Sequence, residues 1–75
     1  MNLLSANDYK ALSDALRRME EITLVRTLGD EKVTARTLTA TWPWRVAMIV
    51  QIKHESRHID WVQNFESVEE ARRFV

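Results

Sequence analysis

Two histidines, His54 and His58, come closest to a metal-binding pattern in this chain of 75 residues. On a helix, the spacing His-x3-His would place both rings on one face, where zinc could bind them. Here the two residues bracket a predicted turn, and only Glu55 and Asp60 lie near enough in the chain to add a third ligand. The pattern therefore favours two solvated histidines, and we expect neither a metal site nor a cofactor.

The same region offers a candidate pair for acid–base catalysis. His58 and Asp60 are two residues apart, so they would share one face of a strand, where a carboxylate can orient an imidazole general base. No nucleophile accompanies them, because Ser56 lies in the turn. The chain has no cysteine, which excludes disulfides and thiolate metal sites and fits a reducing compartment. We therefore predict that the protein is not an enzyme and has no small-molecule substrate.

Basic side chains suggest nucleic-acid binding as an alternative function. The candidate phosphate contacts share the predicted outer sheet face and the hairpin beside it; they are Arg45, Lys53, Arg57 and His58. However, the chain has 11 basic and 11 acidic residues, whereas a general nucleic-acid binder usually carries a clear basic excess. The balance of charge disfavours this alternative without excluding it.

Apolar residues on the polar side of the predicted sheet favour a protein interface. Ala47, Ile49 and Val62 fall in phase with polar neighbours, and an apolar centre with a polar rim is typical of an interface. Alternatively, these are isolated apolar residues on the surface, which are common in soluble proteins. Trp42, beside Pro43, would be a suitable anchor because tryptophan is enriched at interface hot spots. The predicted partner-binding residues are Trp42, Arg45, Ala47, Ile49, Lys53, Arg57 and Val62.

These residues lead to the prediction of a non-catalytic protein-binding module. Its partner would be another protein, as for small regulators or inhibitors of the phage or mobile-element type, or a second copy in a homodimer. Residues 1–4 lack the features of a signal peptide, and no apolar run approaches the roughly 18 residues that span a bilayer. We therefore expect a cytoplasmic protein that does not enter a membrane.

The elements that position these residues follow from periodicity. In TWPWRVAMIVQIKH, residues 41–54, the even positions from Trp44 to Ile52 are apolar and the odd positions from Arg45 to Lys53 are mixed, which predicts a strand with one buried face. IDWVQNF predicts the next strand. Its bulky residues share the buried face only if the loop has an even length, which a two-residue Glu-Ser turn and a four-residue loop, ESRH, both satisfy. The shorter turn lacks the Gly or Asn of a type I′ turn, so we expect His54 to pair with Ile59 across the four-residue loop. Trp44 and Trp61 would then lie in the core.

The first half of the chain predicts a helix and a hairpin. Residues 5–21 have helical spacing at Tyr9, Leu12, Leu16 and Met19, with Ser5 as the N-cap. Strands are expected near 22–28 and 32–42 around the turn LGDEK. Within the second of these strands, the apolar residues move from odd positions, Val33 and Ala35, to even positions from Leu38 onward. A β-bulge between Ala35 and Leu38 would return both phases to one face.

The chain closes with SVEEARRFV, in which Ser67 and Glu70 form a capping-box pattern ahead of a short helix. The sequence thus predicts one α+β domain over residues 1–75, in the order α-β-β-β-β-α, with a single antiparallel sheet of four strands, or of three. A chain of this size buries only about 60–65% of its unfolded surface. Tight packing or self-association would have to support its thin margin of stability.

Overall fold

A computed structural model of the protein describes residues 3–74, and it confirms the α+β fold with four strands. All strand pairs are antiparallel, and the strand order across the sheet is β1-β2-β3-β4. The elements in chain order are α1 (Ala6–Arg18), β1 (Thr23–Leu28), β2 (Glu31–Trp42), β3 (Arg45–Glu55), β4 (Asp60–Phe65) and α2 (Val68–Phe74). In the described part of the chain, neither helix is long and apolar enough to cross a bilayer.

Helix α1 begins at a reciprocal capping box. The Ser5 side chain accepts a hydrogen bond from the Asp8 backbone N–H, and the Asp8 carboxylate accepts one from the Ser5 backbone N–H. The predicted N-cap is therefore confirmed. The helix ends earlier than residue 21 because Met19 adopts a left-handed conformation, with φ 57°, and its N–H bonds the carbonyl oxygens of Ala15 and Leu16. Met19 is exposed, so its predicted place on the apolar side is wrong.

Strand β2 pairs without interruption, so the predicted bulge is wrong. Its register with β3 runs continuously from Lys32↔Glu55 to Trp42↔Arg45. Val33 and Ala35 consequently face the helices. The later apolar residues of β2 alternate to the opposite side, which we call the outer face.

The β3–β4 register differs from the prediction by two residues. His54 pairs with Trp61, and the four-residue loop is 56–59 rather than ESRH. The Ser56 N–H donates to the Ile59 carbonyl, 2.7 Å away, and the Ser56 hydroxyl accepts from the backbone N–H of Ile59. A shift of two preserves the side-chain phase, so Trp61 and Phe65 still face the helices, as predicted.

The core lies between the two helices and one face of the sheet. Its fully buried members come from both helices and the two central strands; they include Leu12, Val33, Ala35, Val50, Ile52 and Ala71. Trp61 is half-buried against this cluster. Trp44 is 75% exposed, so its predicted core position is wrong. It lies in the turn between β2 and β3, beside Pro43, rather than in β3.

The central strands are longer than their neighbours. Strand β1 pairs with residues 31–36 of β2, and β4 pairs with residues 50–55 of β3. Residues 38–49 therefore continue as a two-stranded projection, which we call the hairpin arm. The arm contributes to an elongated molecule with principal extents of 39 × 25 × 19 Å.

Candidate interaction surface and corner cleft

The outer face of the hairpin arm carries directly opposed apolar residues. Leu38 pairs with Ile49, and Ala40 pairs with Ala47 on the neighbouring strand. Trp42 continues the same side of β2. We call these five residues the arm patch. Leu38 and Ala40 were missed as surface candidates because the predicted bulge would have turned them toward the core.

Arg45 supplies a charged rim to the arm patch. Its guanidinium carbon lies 4.8 Å from the centroid of the Trp42 ring, a cation–π geometry. The same guanidinium forms an ion pair with Glu66. Both charged side chains are about half exposed, so this pair contributes at most about 1 kcal/mol to folding stability. Its effect is to hold a positive and a negative group in place beside a tryptophan.

Ile49 lies on the outer face, as predicted, but it is not a contact residue. Only 5% of its surface is exposed. It forms part of the wall of a pocket of about 440 Å³. The other lining residues come from β2 and from the end of β4; they are Ala40, Thr41, Trp42, Asn64, Phe65 and Glu66. The expectation that Ile49 lies exposed to solvent on the outer face is therefore wrong.

Val62 does not belong to the arm patch. It pairs with Lys53 and is 54% exposed. Between Val62 and Ile49 runs a hydrogen-bonded row in which Arg36 donates to Gln51 over 2.8 Å and Gln51 donates to Asn64 over 3.1 Å. The single apolar patch predicted from the sequence is therefore divided by a polar row across three strands. The two-residue change in register is the reason for the separation.

Three of the four residues proposed as phosphate contacts have a carboxylate partner. Besides the Arg45–Glu66 pair, the Lys53 ammonium lies 3.5 Å from a Glu55 oxygen. Arg57 lies 3.5 Å from Asp30 across the loops at that end of the sheet. A phosphate would compete with these carboxylates. Nucleic-acid binding stays a prediction, and this pairing weighs against it.

The two histidines have different surroundings. His54 faces the helix side, with its Nε2 atom 2.5 Å from Glu31 and its ring nearly perpendicular to Trp61. His58 lies in the loop, where its backbone N–H donates to the Ser56 hydroxyl. Among residues 3–74, no group of three histidine, cysteine or acidic side chains is arranged to hold a metal. Sequence reasoning missed Glu31 because it lies 23 residues from His54, and only the β2–β3 register brings them together.

A cleft opens on the helix side, at the corner of the sheet opposite the arm. We call it the corner cleft; it has a volume of about 320 Å³. Glu31, Val33, His54 and Trp61 lie on three adjacent strands. The remaining lining residues are Leu3 before α1, Ile59 before β4, and Phe74 at the end of α2. The cleft occurs where the helices end and the strands continue.

The pKa of the Asp8 carboxyl is lowered, and the role of this group is structural. Hydrogen bonds from the Arg26 guanidinium, at 2.8 and 3.2 Å, lower the pKa of the buried Asp8 carboxyl below its usual value of 3.8. The hydrogen bonds from Ser5 act in the same direction, and burial opposes them. The carboxylate joins the start of α1 to β1, so its shift needs no catalytic explanation.

Scans against models of protein families, against curated proteins and against solved structures found no match to this chain.

Proposed function

We propose that this protein is a non-catalytic binding module that docks a partner protein on the outer face of its hairpin arm. The observation that carries the proposal is the arm patch, a row of opposed apolar residues on the sheet face away from both helices. The arm is also the part of β2 and β3 that neither β1 nor β4 flanks. Its tip carries Trp44, which is 75% exposed, and Val46, which is 64% exposed on the opposite face of the strand. Four of the five patch residues are partly exposed, and together with the exposed Trp44 they form an apolar surface of the kind that marks interaction sites.

The energetics of the arm favour docking. A two-stranded hairpin alone is marginally stable in water, so a partner that covers one face would also order it. Trp42 offers a large rigid surface, and the paired charges of Arg45 and Glu66 would orient the partner at the rim. By covering a partner's surface, the module would act as a regulator or inhibitor. A second copy of the chain is the alternative partner. The proposal includes a cytoplasmic location, which fits a chain without cysteine.

The first experiment asks whether the partner is a second copy. Light scattering after gel filtration, from about 5 to 500 µM protein, measures the mass directly. A homodimer that uses the arm should dissociate at least about tenfold more readily in Trp42→Ala. Val62→Ala is the matched control, since Val62 is an exposed apolar residue on the same face but outside the arm patch. Circular dichroism of both variants should match the parent protein.

If the protein is monomeric, a photo-crosslinking amino acid at position 44 should capture a partner in cells, whereas one at position 62 should not. The captured protein is then purified, and its affinity for the parent, Trp42→Ala and Val62→Ala is measured by calorimetry. We expect a loss of at least about tenfold for Trp42→Ala and no change for Val62→Ala. Equal affinities for all three proteins would reject the arm as the docking surface.

A further inference from the structure

The corner cleft has the size and lining of a small-ligand site. Its volume of about 320 Å³ falls at the lower end of the range for ligand pockets, roughly 300–1,000 Å³. Its lining is mostly apolar, with a single polar pair formed by Glu31 and His54. Pockets that bind small molecules commonly combine apolar walls with a few converging polar groups.

The charge of the cleft points to the class of ligand. Glu31 is the lining residue with a formal negative charge, and no lysine or arginine lines the cleft among residues 3–74. In the same part of the chain, the one ionisable partner of Glu31 is His54. A carboxylate has about four acceptor positions, so one contact with an imidazole leaves capacity for another donor. An anionic ligand would meet Glu31 without a free cation to offset the repulsion.

The aromatic rings of the cleft also favour a cationic ligand. Trp61 lies edge-to-face with Phe74, with ring centroids 5.3 Å apart and planes at 78°. His54 lies edge-to-face with Trp61 on the neighbouring strand, at 5.7 Å and 89°. All three of these rings line the cleft, and the π-faces of aromatic rings attract cations. The Glu31 and His54 side chains are 26% and 21% exposed, so the carboxylate is partly shielded from water but accessible.

We propose that the corner cleft binds a small organic cation, a primary ammonium group carried on an apolar body. The ammonium donates hydrogen bonds to the Glu31 carboxylate, and the apolar body packs against Trp61, Phe74 and Ile59. His54 stays in contact with Glu31 and keeps its carboxylate oriented. The site is separate from the arm patch, so it does not depend on the proposed protein-binding function.

The test compares three probes of similar shape and different charge: 2-phenylethylammonium, the neutral 2-phenylethanol and the anionic 3-phenylpropionate. Methyl NMR signals of Val33 and Ile59, which line the cleft, report binding at about pH 8. We expect saturable shifts for the ammonium probe with half-saturation below about 10 mM. The alcohol should bind at least about tenfold more weakly, and the anion should not bind. This comparison uses the parent protein and needs no variant to fold.

Variants then assign the contact to Glu31. Glu31→Gln removes the charge and keeps an acceptor for His54, so the affinity for the ammonium probe should fall at least about tenfold, with that for the alcohol unchanged. Glu69→Gln, at an exposed carboxylate on α2, is the matched control and should leave both affinities unchanged. Phe74→Leu should weaken ammonium binding about threefold or more, because it removes one aromatic ring.

Three results would overturn the proposal: no saturable shift with the ammonium probe up to about 50 mM, equal affinity for the alcohol and the ammonium, or full ammonium affinity in Glu31→Gln. None of these results would affect the arm, whose test measures binding to a protein.

Discussion

Asp8 is the residue at which the start of α1, its N-cap and the edge strand β1 meet. Its carboxylate accepts the Ser5 backbone N–H and two hydrogen bonds from Arg26, which lies 18 residues further along the chain. The cap is local and follows from sequence spacing. The contact with Arg26 depends on where β1 lies against the helix. One side chain thus satisfies a helix terminus and ties the helix to the sheet.

Asp8→Asn should lower the free energy of unfolding by about 1–3 kcal/mol at pH 7, because the charged hydrogen bonds are lost. The folded-state pKa of Asp8 lies below 3.8, so its ionised form stabilises the fold above the unfolded-state pKa. That contribution is lost as the pH falls through the folded-state pKa. The difference in the free energy of unfolding between the parent and Asp8→Asn should therefore have its full value above about pH 5 and should decrease below pH 3.8. Urea denaturation at several pH values measures it.

Asp14→Asn is the control for this prediction. Asp14 pairs with Arg17 one helical turn later, and the arginine side chain is largely exposed. An exposed pair of this kind contributes at most about 0.5 kcal/mol. A loss for Asp8→Asn no larger than that for Asp14→Asn, or a gap that does not change with pH, would contradict the structural role given to Asp8.

At the scale of elements, the apolar residues of β2 switch from one face of the strand to the other at the point where the helices no longer cover it. Val33 and Ala35 lie under the helices in the part of β2 that β1 flanks. From Leu38 onward the strand belongs to the arm, and its apolar residues turn to the outer face. A strand can change its apolar phase without a bulge when the covering layer ends. The sequence shows the change of phase but not which of these two causes produces it.

The hairpin arm should be the least protected part of the sheet. Native-state hydrogen exchange should give lower protection for backbone amides of residues 39–47 than for residues 33–35 and 50–53. The reason is that the arm has two strands, whereas the base has neighbours on both sides and a helical layer. Partner binding at the arm patch should raise protection there first. Equal protection along β2 and β3 in the free protein would contradict this view of the arm.

At the scale of the whole molecule, a small core leaves little tolerance for a buried charge. The buried cluster comes from two short helices and one sheet face, and domains of this size have a thin margin of stability. Ile49 is buried on the other face of the sheet. A lysine placed there would lose the apolar contacts of the isoleucine and would have to extend its ammonium into the neighbouring pocket.

Ile49→Lys should therefore lower the free energy of unfolding by about 1–3 kcal/mol, because a charged side chain replaces an apolar one that is buried. Val62→Lys should change the free energy of unfolding by less than about 0.5 kcal/mol, since Val62 is exposed on the same face. Thermal denaturation followed by circular dichroism compares the two variants. A folded Ile49→Lys protein with parental stability would contradict the burial of Ile49.

Some residues lie where the sequence predicts, and others do not. Ser5 and Pro43 carry local signals, a cap and a corner, and both lie where those signals predict. Trp44 was assigned to the core because alternation gives the phase of a side chain but not the point at which the covering helices end. Glu31 was missed as the partner of His54 because spacing in the chain does not show which residues meet across a sheet.

The sequence by itself determined the type and order of the elements and the phase of β3 and β4, because helices and strands impose their periods locally on side-chain polarity. The tertiary structure alone decided the β3–β4 register and the absence of a bulge in β2. It also decided the burial of Ile49, the division between the arm patch and Val62, and the meeting of Glu31, His54 and Trp61 in the corner cleft. These features depend on contacts between residues far apart in the chain, and a shift of two residues in pairing changes them while leaving every local pattern intact.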